Sequence, residues 1–75
     1  MEFYGTLFIL LQSGVATFEV MNDGKMYGYS EKYETLLYIK PNGSIVISDQ
    51  LPVNRALLLQ TTLSLSGLNV SFGPV

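Results

Sequence analysis

The chain opens on an almost unbroken apolar run, FYGTLFILL over residues 3–11, stopped by Gln12-Ser13-Gly14. Such a run, rich in aromatic and branched side chains and closed by turn residues, predicts a buried strand. It falls short of the roughly 20 apolar residues that span a bilayer. The start Met1-Glu2 lacks the positive charge of a leader peptide, so the run is assigned to the folded core. Residues 15–21 (VATFEVM) alternate instead. Ala16, Phe18 and Val20 point one way and Val15, Thr17 and Glu19 the other, the period of a half-buried strand. Asn22-Asp23-Gly24-Lys25 follows, and these residues tolerate the positive φ of a primed hairpin turn. Residues 25–30 (KMYGYS) then return as the partner strand, with Lys25, Tyr27 and Tyr29 on one face.

Glu31-Lys32-Tyr33-Glu34 is the densest charge cluster and either ends a strand or forms one helical turn. Residues 35–40 (TLLYIK) and 44–48 (SIVIS) read as strands around a second tight hairpin at Pro41-Asn42-Gly43, with Ile45 and Ile47 sharing a side. Beyond them the pattern loses definition. Asp49 is a candidate helix cap, Pro52 suits a first turn, and a short helix over residues 53–60 competes with strand. Residues 61–72 read as strand, with parity switching at Gly67 from Leu63 and Leu65 to Leu68, Val70 and Phe72. That switch predicts a bulge or bend.

Five or six short strands in 75 residues predict a single all-β domain over 1–75. Its expected form is a small barrel or curled antiparallel sheet of OB- or SH3-like size, with at most one short helix near 53–60. Closure, or pairing with another chain, removes open sheet edges. A chain of this size buries only about 62% of its extended surface. Yet 48% of its residues are apolar and 13% charged. Between residues 35 and 75 only Lys40, Asp49 and Arg55 carry charge. So little charge over so much apolar surface predicts self-association, as a dimer or higher homo-oligomer.

Composition also bounds the chemistry. With neither cysteine nor histidine, disulfide frameworks, thiolate zinc sites and imidazole catalysis are excluded. Glu31 and Glu34 sit three apart beside Lys32, a spacing that suits a solvated turn better than an acid–base pair. Asn22-Asp23-Gly24 is too short for a calcium loop, and Gly24-Lys25 lacks the rest of a phosphate-binding loop. The expectation is a protein without catalysis, metal or cofactor. Four bases against six acids, a net charge of −2, leave no basic stripe for a duplex. Asn42-Gly43-Ser44 and Asn69-Val70-Ser71 match the glycosylation pattern but are read as turn and strand chemistry.

The residues that stand out are tyrosines. Tyr27, Tyr29, Tyr33 and Tyr38 interleave with Lys25, Lys32 and Lys40. Aromatic faces stack on bases while cations hold phosphates, and the same side chains anchor protein interfaces or simply pair across strands. Arg55 is the candidate anion clamp of a ligand pocket. The candidate binding set is therefore Lys25, Tyr27, Tyr29, Lys32, Tyr33, Tyr38 and Arg55. Gly24-Lys25-Met26-Tyr27 followed by Glu34-Thr35-Leu36-Leu37-Tyr38-Ile39 resembles the early hairpin of the filamentous-phage single-stranded-DNA-binding proteins. That resemblance implies a five-stranded barrel that dimerises, with Lys25 and Tyr27 in the binding hairpin. It covers about sixteen residues with an insertion of about three. The chain departs from the family in having Arg55 as its sole arginine.

The expected function is that of a non-enzymatic binding module. It self-associates and blocks or sequesters a host component through a protein interface, as a virus- or mobile-element-type accessory protein would, in the cytoplasm and away from membranes. A single-stranded nucleic-acid-binding protein using the tyrosine hairpin is the first alternative. An oligomeric sponge for small ligands such as nucleotides is the second.

Overall fold

The computed structural model describes residues 2–75. Its elements run α1 (Glu2–Gln12), β1 (Val15–Val20), β2 (Met26–Ser30), β3 (Thr35–Ile39), β4 (Ile45–Ser48), α2 (Val53–Leu65) and β5 (Val70–Gly73). The strands form one sheet in the order β1-β2-β3-β4-β5. The first three pairings are antiparallel, and β4 with β5 is parallel. The sheet does not close, so the expected barrel gives way to an open mixed sheet with two helices. None of the helices among the described residues is long and apolar enough to cross a membrane.

The two hairpins are where the sequence places them, but their geometry differs from the primed form. In the first, the Gly24 amide donates to the Met21 carbonyl at 2.9 Å and the Met21 amide to the Lys25 carbonyl at 2.8 Å. In the second, the Gly43 amide donates to Lys40 and the Lys40 amide to Ser44, both at 2.9 Å. Only the glycines take positive φ, 84° and 88°. Each loop is therefore an ordinary turn closed by a left-handed glycine, the three-residue hairpin. Asp23 and Asn42 complete the loops by accepting from the Lys25 and Ser44 amides at 2.9 and 3.0 Å. Between them, residues 31–34 form a turn rather than strand or helix. The β1 alternation is interrupted as well. Val15 pairs with Ser30 and Thr17 with Tyr29, a bulge that puts the fully buried Val15 on the same side as Phe18.

The apolar run over residues 3–11 is helix, not strand. Its Thr6 and Leu10 are buried while Phe8 and Leu11 stay exposed, and the Thr6 hydroxyl donates to the Gly43 carbonyl at 3.3 Å. The stretch over 61–65 is helix too, continuing the helix expected over 53–60. Ala56, Leu59 and Leu63 make its buried stripe, at spacings of three and four. Asp49 is not the cap; Pro52 holds that place, and its carbonyl accepts from the Ala56 amide at 2.9 Å. The switch at Gly67 is a helix C-cap and not a strand bulge. The Leu68 amide donates to the Leu63 carbonyl and the Gly67 amide to Ser64, the Schellman pattern. Strand resumes only at Val70.

One core results. Leu37, Ile39, Ile45 and Ile47 from the central strands meet Leu10 of α1 and Ala56, Leu59 and Leu63 of α2. Both helices therefore cover the same face of the sheet. A β4–α2–β5 crossover follows from this, because a parallel neighbour can only be reached by crossing over the sheet. The two edges are blunted, β1 by its bulge and β5 by its four residues and the following Pro74.

Candidate functional site: the open face of the sheet

The face opposite the helices carries the alternate residues of each strand. One cross-strand row reads Glu19, Tyr27, Tyr38, Val46, Ser71, and the next reads Thr17, Tyr29, Leu36. Tyr27 and Tyr38 are a directly opposed pair with ring centroids 5.5 Å apart and planes tilted by 36°. Such pairs stabilise a ladder by about 0.2–1 kcal/mol. The Lys25 ammonium lies 5.5 Å from the centroid of the Tyr38 ring, a weak cation–π contact at an exposed position. Tyr29 and Leu36 are more open, at 37% and 47% exposure, whereas Val46 is nearly buried beside Gly73.

Leu36 stands at the centre. It lines a hollow of about 220 Å³ with Thr17, Tyr27 and Tyr29. It also lines a hollow of about 310 Å³ with Glu19, Tyr27 and Val75, and one of about 320 Å³ with Tyr29, Arg55, Gln50 and Val75. These are three dips in one shallow surface, not an enclosed cavity. Sequence reasoning singled out the tyrosines and passed over Leu36, Thr17 and Glu19. The signal that finds them is the alternation of residues 35–39: if Leu37 and Ile39 are inward, Leu36 and Tyr38 must face out.

The candidate binding residues separate into three places. Lys25, Tyr27, Tyr29 and Tyr38 share the open face. Arg55 lies at one end of it, where its guanidinium donates to the Tyr33 carbonyl and to the Glu34 carboxylate, both at 3.4 Å. With the Arg55 side chain 40% exposed and Glu34 73%, the pair is a surface contact of little energetic weight. Lys32 and Tyr33 leave the site. Tyr33 is 7% exposed and belongs to the core, and Lys32 lies over its ring at 5.4 Å with its stem against Gly14. Among the described residues no three carboxylates gather where they could hold a metal ion. Comparison with protein-family models, with curated proteins and with solved structures gives no match.

Proposed function

We propose that the chain is a non-enzymatic binding module that docks a protein partner on the open face of its sheet and acts by occupying it. The observation that carries this reading is the division of the sheet. One face is sealed by two helices, while the other presents Tyr29 and Leu36 at its centre with Tyr27 and Tyr38 beside them. Tyrosine suits such a surface, since its ring supplies contact area at small entropic cost and its hydroxyl keeps the free face wetted. Charge is sparse on this face, with Lys25 at one end, Arg55 with Glu34 at the other and Glu19 on the edge strand β1 opposite Tyr27. An apolar centre with a polar rim is the anatomy of a protein interface.

A photo-crosslinker placed at Thr17, which lines the hollow around Leu36, should capture a discrete protein other than this chain, and the same probe at Val53, 73% exposed on α2, should not capture that protein. Tyr29→Ala and Leu36→Ala should abolish capture while moving the unfolding free energy by less than about 0.5 kcal/mol, as exposed positions do. Capture of that protein that persists in both variants, or that comes equally from Val53, would sink the proposal.

A second reading has its own observation, the Lys25 ammonium beside the Tyr27–Tyr38 pair. Stacked rings next to a cation grip single strands. Binding of oligothymidylate that shifts the Tyr27 and Tyr38 resonances and weakens steeply with salt would move the assignment to nucleic acid. The absence of such binding at low salt would remove that reading.

A further inference from the structure

We propose that the outer surface of the two helices is the self-association surface, on which a second copy of this chain seats its own helix layer. The inference does not depend on the sheet-face reading, because it concerns the opposite side of the molecule. At about 100° per residue, the buried stripe of Ala56, Leu59 and Leu63 turns Leu58 and Leu65 outward, and burial of Thr6 and Leu10 turns Phe8 outward on α1. These side chains are left bare: Phe8 62%, Leu11 53%, Leu58 61% and Leu65 84% exposed. With Val53 and Leu57, at 73% and 53%, they expose about 700 Å² per copy at a full area of about 180 Å² each. A stable interface takes about 800 Å² from each partner, so the polar residues between them complete the requirement.

The absence of charge points to a second copy. Residues 5–12 and 56–65 contain no ionisable side chain, and Arg55 is turned toward the turn before β3. In a two-fold dimer each patch meets itself, so any charge near the axis would face its like; residues 5–12 and 56–65 have none to bring together, and Asp49 lies beside Val53 and Leu57 at the start of α2, away from Leu65. Two of the hydroxyls of α2 are also satisfied from within. Thr62 donates to the Leu58 carbonyl at 2.9 Å and Ser66 to the Thr62 carbonyl at 3.1 Å. Burying these two strands no donor, and the exposed Thr61 and Ser64 are left to pair with the partner copy or with water at its rim. Helices that lie on membranes set an apolar face against a Lys- and Arg-rich one, which these helices lack.

Sedimentation equilibrium of the full chain at tens of micromolar should give twice the 8.3 kDa monomer mass. The double variant Leu58→Lys/Leu65→Lys should raise the dimer dissociation constant at least about a hundredfold and sediment as a folded monomer. Tyr29→Ala should leave the dimer intact. A spin label on Leu65→Cys should broaden the amide signals of Phe8 and Leu58 in an unlabelled copy and leave Tyr27 and Leu36 sharp. That measurement holds even if the lysine variant fails to fold. A wild-type monomer, a dimer that survives the lysines, broadening confined to the sheet face, or cosedimentation with phosphatidylcholine vesicles in place of dimerisation would each overturn the proposal.

Discussion

Gly28 shows how a single missing side chain shapes the sheet. A Cβ there would come within 2.8 Å of Val15 Cγ1 and 3.3 Å of the Phe18 ring. Val15 is fully buried and β-branched, so it has little freedom to move aside. The bulge in β1 swings Val15 onto this face, and Gly28 leaves it room. Gly28→Ala should therefore lower the unfolding free energy by about 1–3 kcal/mol in denaturant melts, the usual cost of overpacking. An unchanged midpoint would mean that Val15 does not sit there. Glu34 is the counterpart, a side chain where glycine would be easier. Its φ is 55°, and among the described residues it is the one non-glycine with positive φ. Glu34→Gly and Glu34→Ala both remove the carboxylate beside Arg55, but only alanine keeps the left-handed strain. The glycine variant should be the more stable of the two by about 1 kcal/mol. Equal stabilities would contradict the backbone geometry.

At the scale of elements, the informative contrast is between residues two apart in α2. In a strand, Leu63 and Leu65 would share a face and an environment. In the helix, Leu63 is fully buried and Leu65 is 84% exposed. In the monomer, at concentrations well below those that dimerise, Leu63→Ala should cost about 2–5 kcal/mol, while Leu65→Ala should stay within about 0.5 kcal/mol. Similar losses at both would restore the strand reading. The sequence misleads here for a physical reason. Thr61, Thr62, Ser64 and Ser66 disfavour helix when solvent-exposed because their hydroxyls compete for the backbone. In the fold, Thr62 and Ser66 donate back to carbonyls four residues earlier, and the Leu59–Leu63 stripe closes over the sheet. Packing outweighs propensity. The same holds for α1, whose aromatic and branched residues suit a strand but whose Leu10 is needed above the core.

For the whole molecule, size is ordinary and composition is not. Its accessible surface is 4701 Å², close to the roughly 4,600 Å² expected of a compact monomer of this mass. The apolar excess expected from composition thus appears not as an expanded shape but as two bare regions, one on each side of the sheet. Even along its shortest extent the backbone spans 19 Å, well beyond the distance over which substitutions usually couple. Leu58→Lys combined with Tyr29→Ala should therefore show the mass of the first variant alone and the capture defect of the second alone. Departure of either readout from its single variant, tested on one sample by sedimentation and crosslinking, would show that the two faces act together.

By itself the sequence determined the β1 to β4 meander, because its signals are local. Asn-Asp-Gly and Pro-Asn-Gly make their turns with side chains a residue or two away, and alternation in residues 15–30 and 35–48 can be read within a few positions. It also placed Tyr27 and Tyr29 on one face. Only the tertiary structure decided that residues 2–12 and 61–65 are helical, that β5 returns parallel, that Tyr33 turns inward and that the sheet stays open. Those outcomes depend on distant partners. An apolar run has no strong period of its own and takes whichever form covers the Leu37, Ile39, Ile45 and Ile47 face, and that face exists only once the strands have met.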